Sequence, residues 1–414
     1  MADPRATVER ALGGAEVRPI TLDAFHTRRE RKRRNQRLAA GAVGISIALA
    51  GAFIAARVLD VYGDRTAGEP VRNGVIAFQG DRGLFVSDPD GSGYHSTMQP
   101  PDPPGECLID RAHPCSFNGL AWSPEGTKLA FVFGEISAAS FGDMSIYVMD
   151  AATEEVRLLA RCPAGPGEPA GTCDNGDRLS WSPDGQRIVV SSGESLFVID
   201  AVSGDMVQIT GCASCSYQGL ALDPAWSPDG RRIAFSGNDL MLSIAVDGSA
   251  RQTLVRSGDA GISINGARPR WAPDGTKLAF AADEGMFVVN ADGSGLTLLV
   301  DHNPDIAFPG PSWSPDGKQI VYLRTSGSRN AYEAEIRVVD VTGDNDRVLY
   351  SSGCCIGDWR SPVFSPDGTM IAFSLIVVDR GQDFVGVYVY VMDADGSDVH
   401  RVSGLGEVAW QALP

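Results

Sequence analysis

The five letters WSPDG occur three times in this chain of 414 residues, at 181–185, 226–230 and 313–317. Near copies read WSPEG at 122–126, WAPDG at 271–275 and FSPDG at 364–368. The chemistry is that of a tight turn. Pro holds φ where the first central position needs it, Asp or Glu tolerates the second, and Gly takes the positive-φ position that ends the turn. After a short gap each copy is followed by a β-forming triplet, from Leu129-Ala130-Phe131 in the first to Ile371-Ala372-Phe373 in the last. Apolar residues also precede each copy, so each predicts a β-hairpin. No copy differs chemically from the others, which argues against a multiplied catalytic signature.

Each unit goes on to a second apolar run that ends on a carboxylate or amide, at 146–150, 196–200, 244–247, 286–290, 336–340 and 389–393. Several of these enter a further turn, such as ADGSG at 291–295, and a fourth short strand follows, as at 207–210, 296–299 and 347–350. The aromatics that open the motif are spaced by 59, 45, 45, 42 and 51 residues. Four short strands recurring every ~40–50 residues predict the blades of a β-propeller. Such sheets have two apolar faces and must stack on neighbours to bury them. The strand before each turn carries Leu120, Leu179, Pro224, Pro269, Pro311 or Pro362 two residues ahead of the aromatic. One residue ahead stand Ala121, Ser180, Ala225, Arg270, Ser312 and Val363. Alternation puts the bulky set on one face and mainly small residues on the other, so each blade can accept its neighbour's aromatic.

The ends fix the blade count. Strands at 75–78 and 84–88 precede the first motif without one of their own, and Val408, Ala409 and Trp410 form a first strand with no unit behind it. The leftovers are complementary: the C-terminal strand is expected to complete the N-terminal blade and remove its exposed edge. The predicted fold is therefore all-β, a seven-bladed β-propeller with six blades as the alternative, preceded by a single transmembrane α-helix.

The WSPDG unit, with YVMDADGS at 390–397, resembles the repeat of the TolB-type, WD40-like β-propellers over roughly residues 73–412. The resemblance implies the architecture and leaves function open, because such folds mainly supply binding surfaces. TolB itself has six blades and a separate N-terminal α/β domain; seven blades and the absence of room for that domain depart from it.

Residues 38–56 are 19 residues without a charge, and residues 28–37 before them carry seven cations and one Glu. That length suits a membrane-crossing helix at ~1.5 Å per residue. The positive-inside rule leaves the N-terminus cytoplasmic and exports everything after Arg57. A cleaved signal peptide is the alternative, against which stand the long leading segment and the lack of a small-x-small cleavage site. The expected organisation is a cytoplasmic basic segment 1–37, a transmembrane helix 38–56, a linker 57–72 and a propeller 73–412. The layout resembles actinobacterial membrane proteins in which such tails act as anti-sigma segments, which would give residues 1–27 a cytoplasmic partner. The zinc-type version needs a His/Cys cluster, and no Cys precedes Cys107.

Residues 1–60 carry a net charge of +5 and residues 61–414 a net −22. An acidic exported domain argues against binding nucleic acid. Asp-x-Asp-Gly-Ser stretches at 88–92 and 393–397 resemble the opening of a calcium loop but lack its remaining ligands, so turns are expected there. No cofactor or metal is expected. The eight cysteines fall in local sets: Cys107 with Cys115, Cys162 with Cys173, Cys212 with Cys215, and Cys354 beside Cys355. In an exported domain the first three sets are expected to be disulfides pinning connections between blades. For adjacent Cys354 and Cys355 a strained vicinal bond, free thiols and cross-links to other loops stay open.

No G-x-S-x-G, H-E-x-x-H, P-loop or dinucleotide fingerprint is present. Near the channel mouth, three residues before each aromatic, stand Gly119, Arg178, Asp223, Arg268, Gly310, Ser361 and Glu407, a mixed rim without an acid pair. The expected function is a non-catalytic binding or scaffolding propeller outside the cell membrane. A protein or envelope polymer would dock on the rim around Arg178, Asp223, Arg268 and Arg270, with the Asp-Gly turns opposite inert. The alternatives are a hydrolase or lyase using mouth residues, and a membrane sensor.

Overall fold

The computed structural model describes residues 71–413 except 81–82, 99–114, 136–143, 163–178, 193–194, 211–221, 238, 265–266, 302–309, 329–330, 353–355, 358–361, 378–385 and 404–407. The expected cytoplasmic segment 1–37 and the apolar stretch 38–56 lie outside these residues. Among the described residues no helix is long and apolar enough to cross a membrane.

The strands form seven antiparallel sheets. Blade 2 is Cys115–Trp122, Lys128–Glu135, Ser145–Asp150 and Val156–Arg161. Blade 3 follows with Ser180–Trp181, Arg187–Ser192, Ser195–Asp200 and Met206–Gln208. Blade 4 is Leu222–Trp226, Arg232–Ser236, Leu240–Ala245 and Gln252–Arg256. Blade 5 is Arg270–Trp271, Lys277–Ala282, Gly285–Asn290 and Thr297–Asp301. Blade 6 is Ser312–Trp313, Gln319–Ser328, Ala331–Asp340 and Arg347–Ser351. Blade 7 is Val363–Phe364, Met370–Val377, Gly386–Asp393 and His400–Ser403, with Ile356–Gly357 added beside Met370–Val377.

Blade 1 is built from both ends of the propeller. Val408–Leu413 is its innermost strand, paired antiparallel with Arg72–Gly80, with Val408 opposite Phe78, Ala409 opposite Ala77 and Trp410 opposite Ile76. Gly83–Ser87 and His95–Met98 complete it. Seven blades and closure by the C-terminal strand, both read from the sequence, are borne out. One side chain clasps the joint. The Gln411 carbonyl accepts the Val75 backbone N–H at 3.1 Å, and its amide donates to the Gly126 carbonyl of blade 2 at 2.7 Å.

The motif turns are as expected, with one addition. In blade 3 the Gly185 N–H closes on the Ser182 carbonyl at 2.9 Å, with Gly185 at φ 64°. The Ser182 hydroxyl is fully buried; it accepts the Arg187 N–H at 2.9 Å and donates to Asp184. Ser227, Ser314 and Ser365 repeat this arrangement. In the WAPDG copy Ala272 has no hydroxyl to offer, and Asp274 takes the amide and hydroxyl of Thr276 instead. Sequence reading assigned the Pro, Asp and Gly of the motif their parts and gave its Ser none.

The core lies between blades. Leu179 and Trp181 of blade 3 pack with Ala130, Val132 and Val148 of blade 2 in one buried cluster, against Ala121 at its edge. The small face therefore takes the neighbour's aromatic, as alternation predicted. The indole N–H also has a fixed destination. Trp181 donates to the Ala121 carbonyl at 2.9 Å, Trp122 to Ala409 at 3.2 Å, Trp271 to Ala225 at 3.1 Å, Trp313 to Arg270 at 3.0 Å and Trp410 to Val363 at 3.3 Å. Each acceptor is the residue just before the preceding blade's aromatic, so the inner strands are hydrogen-bonded around the ring. At the other two steps that residue is a serine. Ser180 and Ser312 use their hydroxyls to accept the backbone N–H of Trp226 and Phe364.

Candidate functional site at the channel mouth

The inner strands begin at the channel mouth, on the end of the ring that carries the hairpins between second and third strands. Three residues before the aromatic the backbone is in the left-handed region in three blades, with φ 63° at Gly119, 49° at Asp223 and 141° at Gly310. In blades 2 and 4 the strand register shifts at this point, between Asn118 and Ala121 and between Leu222 and Ala225. Such a bulge favours Gly; Asp is among the few other residues that tolerate the region. Blade 4 thus places a carboxylate where blades 2 and 6 have none.

Asp223 is 8% exposed, and its Oδ2 lies 3.5 Å from Nε of Arg268, the corresponding residue of blade 5. The structure brings these two predicted rim residues together as an ion pair spanning two blades. Arg270 lies two residues further down the same chain, on the channel wall. Its guanidinium donates to the Pro269 carbonyl at 2.8 Å, and its own carbonyl receives the Trp313 indole. Arg178, Ser361 and Glu407 lie outside the described residues, so four of the seven rim positions define the mouth.

The inner strands line a cavity of about 510 Å³. Its wall is apolar over Leu120, Leu179, Pro224, Val363 and Trp410, and among the described residues Arg270 is the charged group on it.

The mouth is uneven. The central hairpin of blade 6 has strands of 10 residues, against 6 in blade 5. Both start beside their turns, so blade 6 stands about four residues, or ~13 Å, higher. Blades 2 and 7 are also raised, each with a second strand of 8 residues, and Ile356–Gly357 pairs with the upper part of blade 7. The mouth is therefore lower at blades 4 and 5, which hold Asp223 and Arg268, than at blades 2, 6 and 7.

On the opposite end the acidic turns satisfy themselves. The hydroxyl and amide of Ser294 hold the Asp292 carboxyl below its ordinary value, and Ser397 does the same to Asp395. These are turns, as expected, with their carboxylates already engaged. Among the described residues no group of three His, Cys, Asp or Glu side chains could hold a metal ion.

Of the cysteines, Cys162 follows the outer strand of blade 2 directly and is 5% exposed. Cys115 opens the first strand of blade 2 instead of lying in a connection, a correction to the expected placement. That inner strand pairs beyond its bulge as far as Cys115 opposite Glu135. Cys107, Cys173, Cys212, Cys215, Cys354 and Cys355 lie outside the described residues.

Residues 178–354 match the family model for the TolB beta propeller domain. Solved structures share the architecture at low identity. An oligogalacturonate lyase in complex with manganese is 15% identical with a TM-score of 0.53, over 81% of this chain and 85% of that one. The oligogalacturonate lyase of Vibrio parahaemolyticus is 12% identical with a TM-score of 0.53, over 81% and 85%. A prolyl endopeptidase is 12% identical with a TM-score of 0.54, over 82% of this chain and 49% of that one. These likenesses establish the fold, which hosts both binding proteins and enzymes.

Proposed function

We propose that this protein is a non-catalytic propeller held outside the cell membrane by residues 38–56, docking a protein or an envelope polymer at the channel mouth. The observation that carries this reading is the pairing of Asp223 with Arg268. The carboxylate of the described lip is neutralised by a cation from the next blade, which suits recognition of a partner, and among the described residues of the lip no second acid stands beside it for general acid–base work. The uneven mouth, raised at blades 2, 6 and 7 and low at blades 4 and 5, supports the same reading, because it has a shape that a large partner can register against. The charge-free length of residues 38–56, with the basic run before it, supports the anchor and the orientation. An exported position also accounts for the paired spacing of the cysteines, and burial of Cys162 suits a bond to Cys173.

Cross-linking of the full-length protein in its native envelope tests the reading. The expected result is a partner cross-linked to the blade 6 hairpin and the neighbourhood of Arg268, with Cys162 and Cys173 peptides linked when mapped without reduction. A partner found only on the acidic turns of the opposite end would contradict it, as would turnover of an oligosaccharide or peptide that is lost with Asp223→Asn.

A further inference from the structure

The outer strands are tied from blade to blade as the inner ones are, and blade 1 is tied by a different residue. His95, opposite Val86, and His400, opposite Val391, hold the same register position in blades 1 and 7. Arg157, Gln252 and Arg347 hold it in blades 2, 4 and 6. From there each side chain reaches the turn before the outer strand of the next blade. Arg157 donates to the Ala201 carbonyl, Gln252 to the Asp292 carbonyl at 2.8 Å and Arg347 to the Asp395 carbonyl at 3.4 Å. His400 reaches the Pro89 carbonyl of blade 1 at 3.0 Å, and His95 reaches Glu154 of blade 2 at 2.7 Å. At the same position Val207 of blade 3 has no polar group to offer, and Thr297 of blade 5 bonds the Gly295 carbonyl of its own blade.

Arginine and glutamine donate at any physiological pH, whereas what an imidazole donates depends on its protonation. Both seams of blade 1 are therefore held by the titratable residue. Blade 1 is also the blade assembled from the two ends of the propeller, so no turn joins its innermost strand to the strand beside it.

Each ring faces two acceptors. Nδ1 of His95 lies 2.5 Å from the Gly93 carbonyl and Nε2 lies 2.7 Å from Glu154 Oε1. Nδ1 of His400 lies 2.8 Å from the Asp398 carbonyl and Nε2 lies 3.0 Å from the Pro89 carbonyl. A neutral imidazole has one N–H and one lone pair, so in each neutral ring one nitrogen would turn its lone pair on an oxygen. Only the imidazolium donates to both. Among the described residues the charged groups facing the rings are carboxylates, Glu154 and Asp88 around His95 and Asp398 and Asp90 around His400. The bond to Glu154, followed by that to Gly93, raises the His95 pKa above its ordinary value. Burial opposes the charge on His400, and the bonds to the Pro89 and Asp398 carbonyls outweigh it, so its pKa is raised as well. Both contributions are fully present below the unfolded-state value of ~6.5 and are lost as pH rises through the folded-state values.

We infer that the outer half of blade 1 is a proton-operated clasp: with both imidazoles charged it is held to blades 7 and 2, and with both neutral it opens locally. The inner half stays closed in either state, because Gln411 and the Trp410 indole tie it without a titratable group. The clasp does not depend on what docks at the mouth.

Hydrogen–deuterium exchange of the full-length protein tests this, read by mass spectrometry on peptides covering residues 83–98 and corrected for the intrinsic rate at each pH. With two partly exposed pairs contributing, opening of these residues is expected to rise at least about threefold from pH 5.5 to pH 8. Residues 277–301 of blade 5 should keep their protection. His95→Arg with His400→Arg gives both seams the residue of blades 2 and 6 and should abolish the pH dependence. Glu154→Gln leaves both histidines in place and should remove the His95 share alone. Titration of the imidazoles by NMR on histidine-labelled protein, assigned with His95→Gln and His400→Gln, should give midpoints above ~6.5 for both. Equal opening at the two pH values, a rise shared evenly by blades 1 and 5, or a pH dependence that persists in the double arginine variant would each overturn the clasp. So would a midpoint at or below ~6.5 for either histidine. Glu154→Gln and the wild-type titration keep the test decisive should the double arginine variant fail to fold.

Discussion

Trp181 donates its indole N–H to the carbonyl of Ala121, 2.9 Å away in the neighbouring blade and 60 residues earlier in the chain. The same bond recurs from Trp122, Trp271, Trp313 and Trp410. The aromatic of the repeated motif therefore buries apolar area and also ties one inner strand to the next. Trp181→Phe keeps most of the area and removes the bond, leaving the Ala121 carbonyl without it. The expected loss is about 1–2 kcal/mol in denaturant melts, with the fold retained, because the ring already accommodates Phe364 at this position. An unchanged midpoint would show that the indole bond contributes nothing beyond packing.

Closure concentrates on Gln411, which bonds Val75 within blade 1 and Gly126 in blade 2. Gln411→Leu retains the bulk and strands one donor and one acceptor. A destabilisation of about 1–3 kcal/mol is expected from the unsatisfied groups. Deleting residues 408–414 removes the whole inner strand and exposes the edge of Arg72–Gly80, so aggregation or loss of cooperative unfolding should follow. A truncated chain that melts as sharply as the intact one would contradict closure by this strand.

The outer flanks of blade 1 both carry a histidine. His95 Nε2 lies 2.7 Å from Glu154 Oε1 of blade 2, and His400 of blade 7 bonds the Pro89 carbonyl at 3.0 Å. The hydrogen bond to Glu154 raises the His95 pKa above its ordinary value, so the charged imidazole favours the folded state. The sign follows from linkage. This contribution is fully present below the unfolded-state value of ~6.5 and is lost as pH rises through the folded-state value. The pair is half exposed, so the effect should be a few tenths of a kcal/mol. Melts across pH 5.5–8 should show wild type losing that increment as pH rises, and Glu154→Gln should flatten it. A slope untouched by Glu154→Gln would place the effect elsewhere.

What the sequence made legible was whatever the backbone decides locally. Pro, Asp and Gly within five residues fix a turn, so the hairpins, the blade count and the completion of blade 1 by Trp410 could all be read in advance. The Ser of the motif was overlooked because its bond to the amide five residues on depends on the closed hairpin, although its presence in five of six copies was a signal. The site was less legible. Asp223 and Arg268 stand 45 residues apart in the chain, and only the stacking of blades 4 and 5 makes them partners. Both appeared in the sequence as independent rim charges. Arg270 was grouped with them by proximity in sequence, but strand direction carries it down to the channel wall.

The pairing also determines how the mouth should be probed. Reversing Arg268 alone would set a second carboxylate against nearly buried Asp223 and lower stability, confounding any loss of binding. The exchange Asp223→Asn with Arg268→Gln keeps a hydrogen-bonding pair in place, with Asn tolerated at the φ of 49°, while removing both charges of the lip. The most direct measurement is therefore quantitative capture of the cross-linked envelope partner by full-length wild type, by this exchange variant, and by a turn variant carrying Asp292→Lys and Asp395→Lys. Docking at the mouth predicts at least a tenfold loss of capture for the exchange variant at an unchanged melting temperature, with the turn variant capturing as wild type does. Capture abolished by the turn substitutions and preserved by the exchange would contradict it and move the binding surface to the opposite end of the ring.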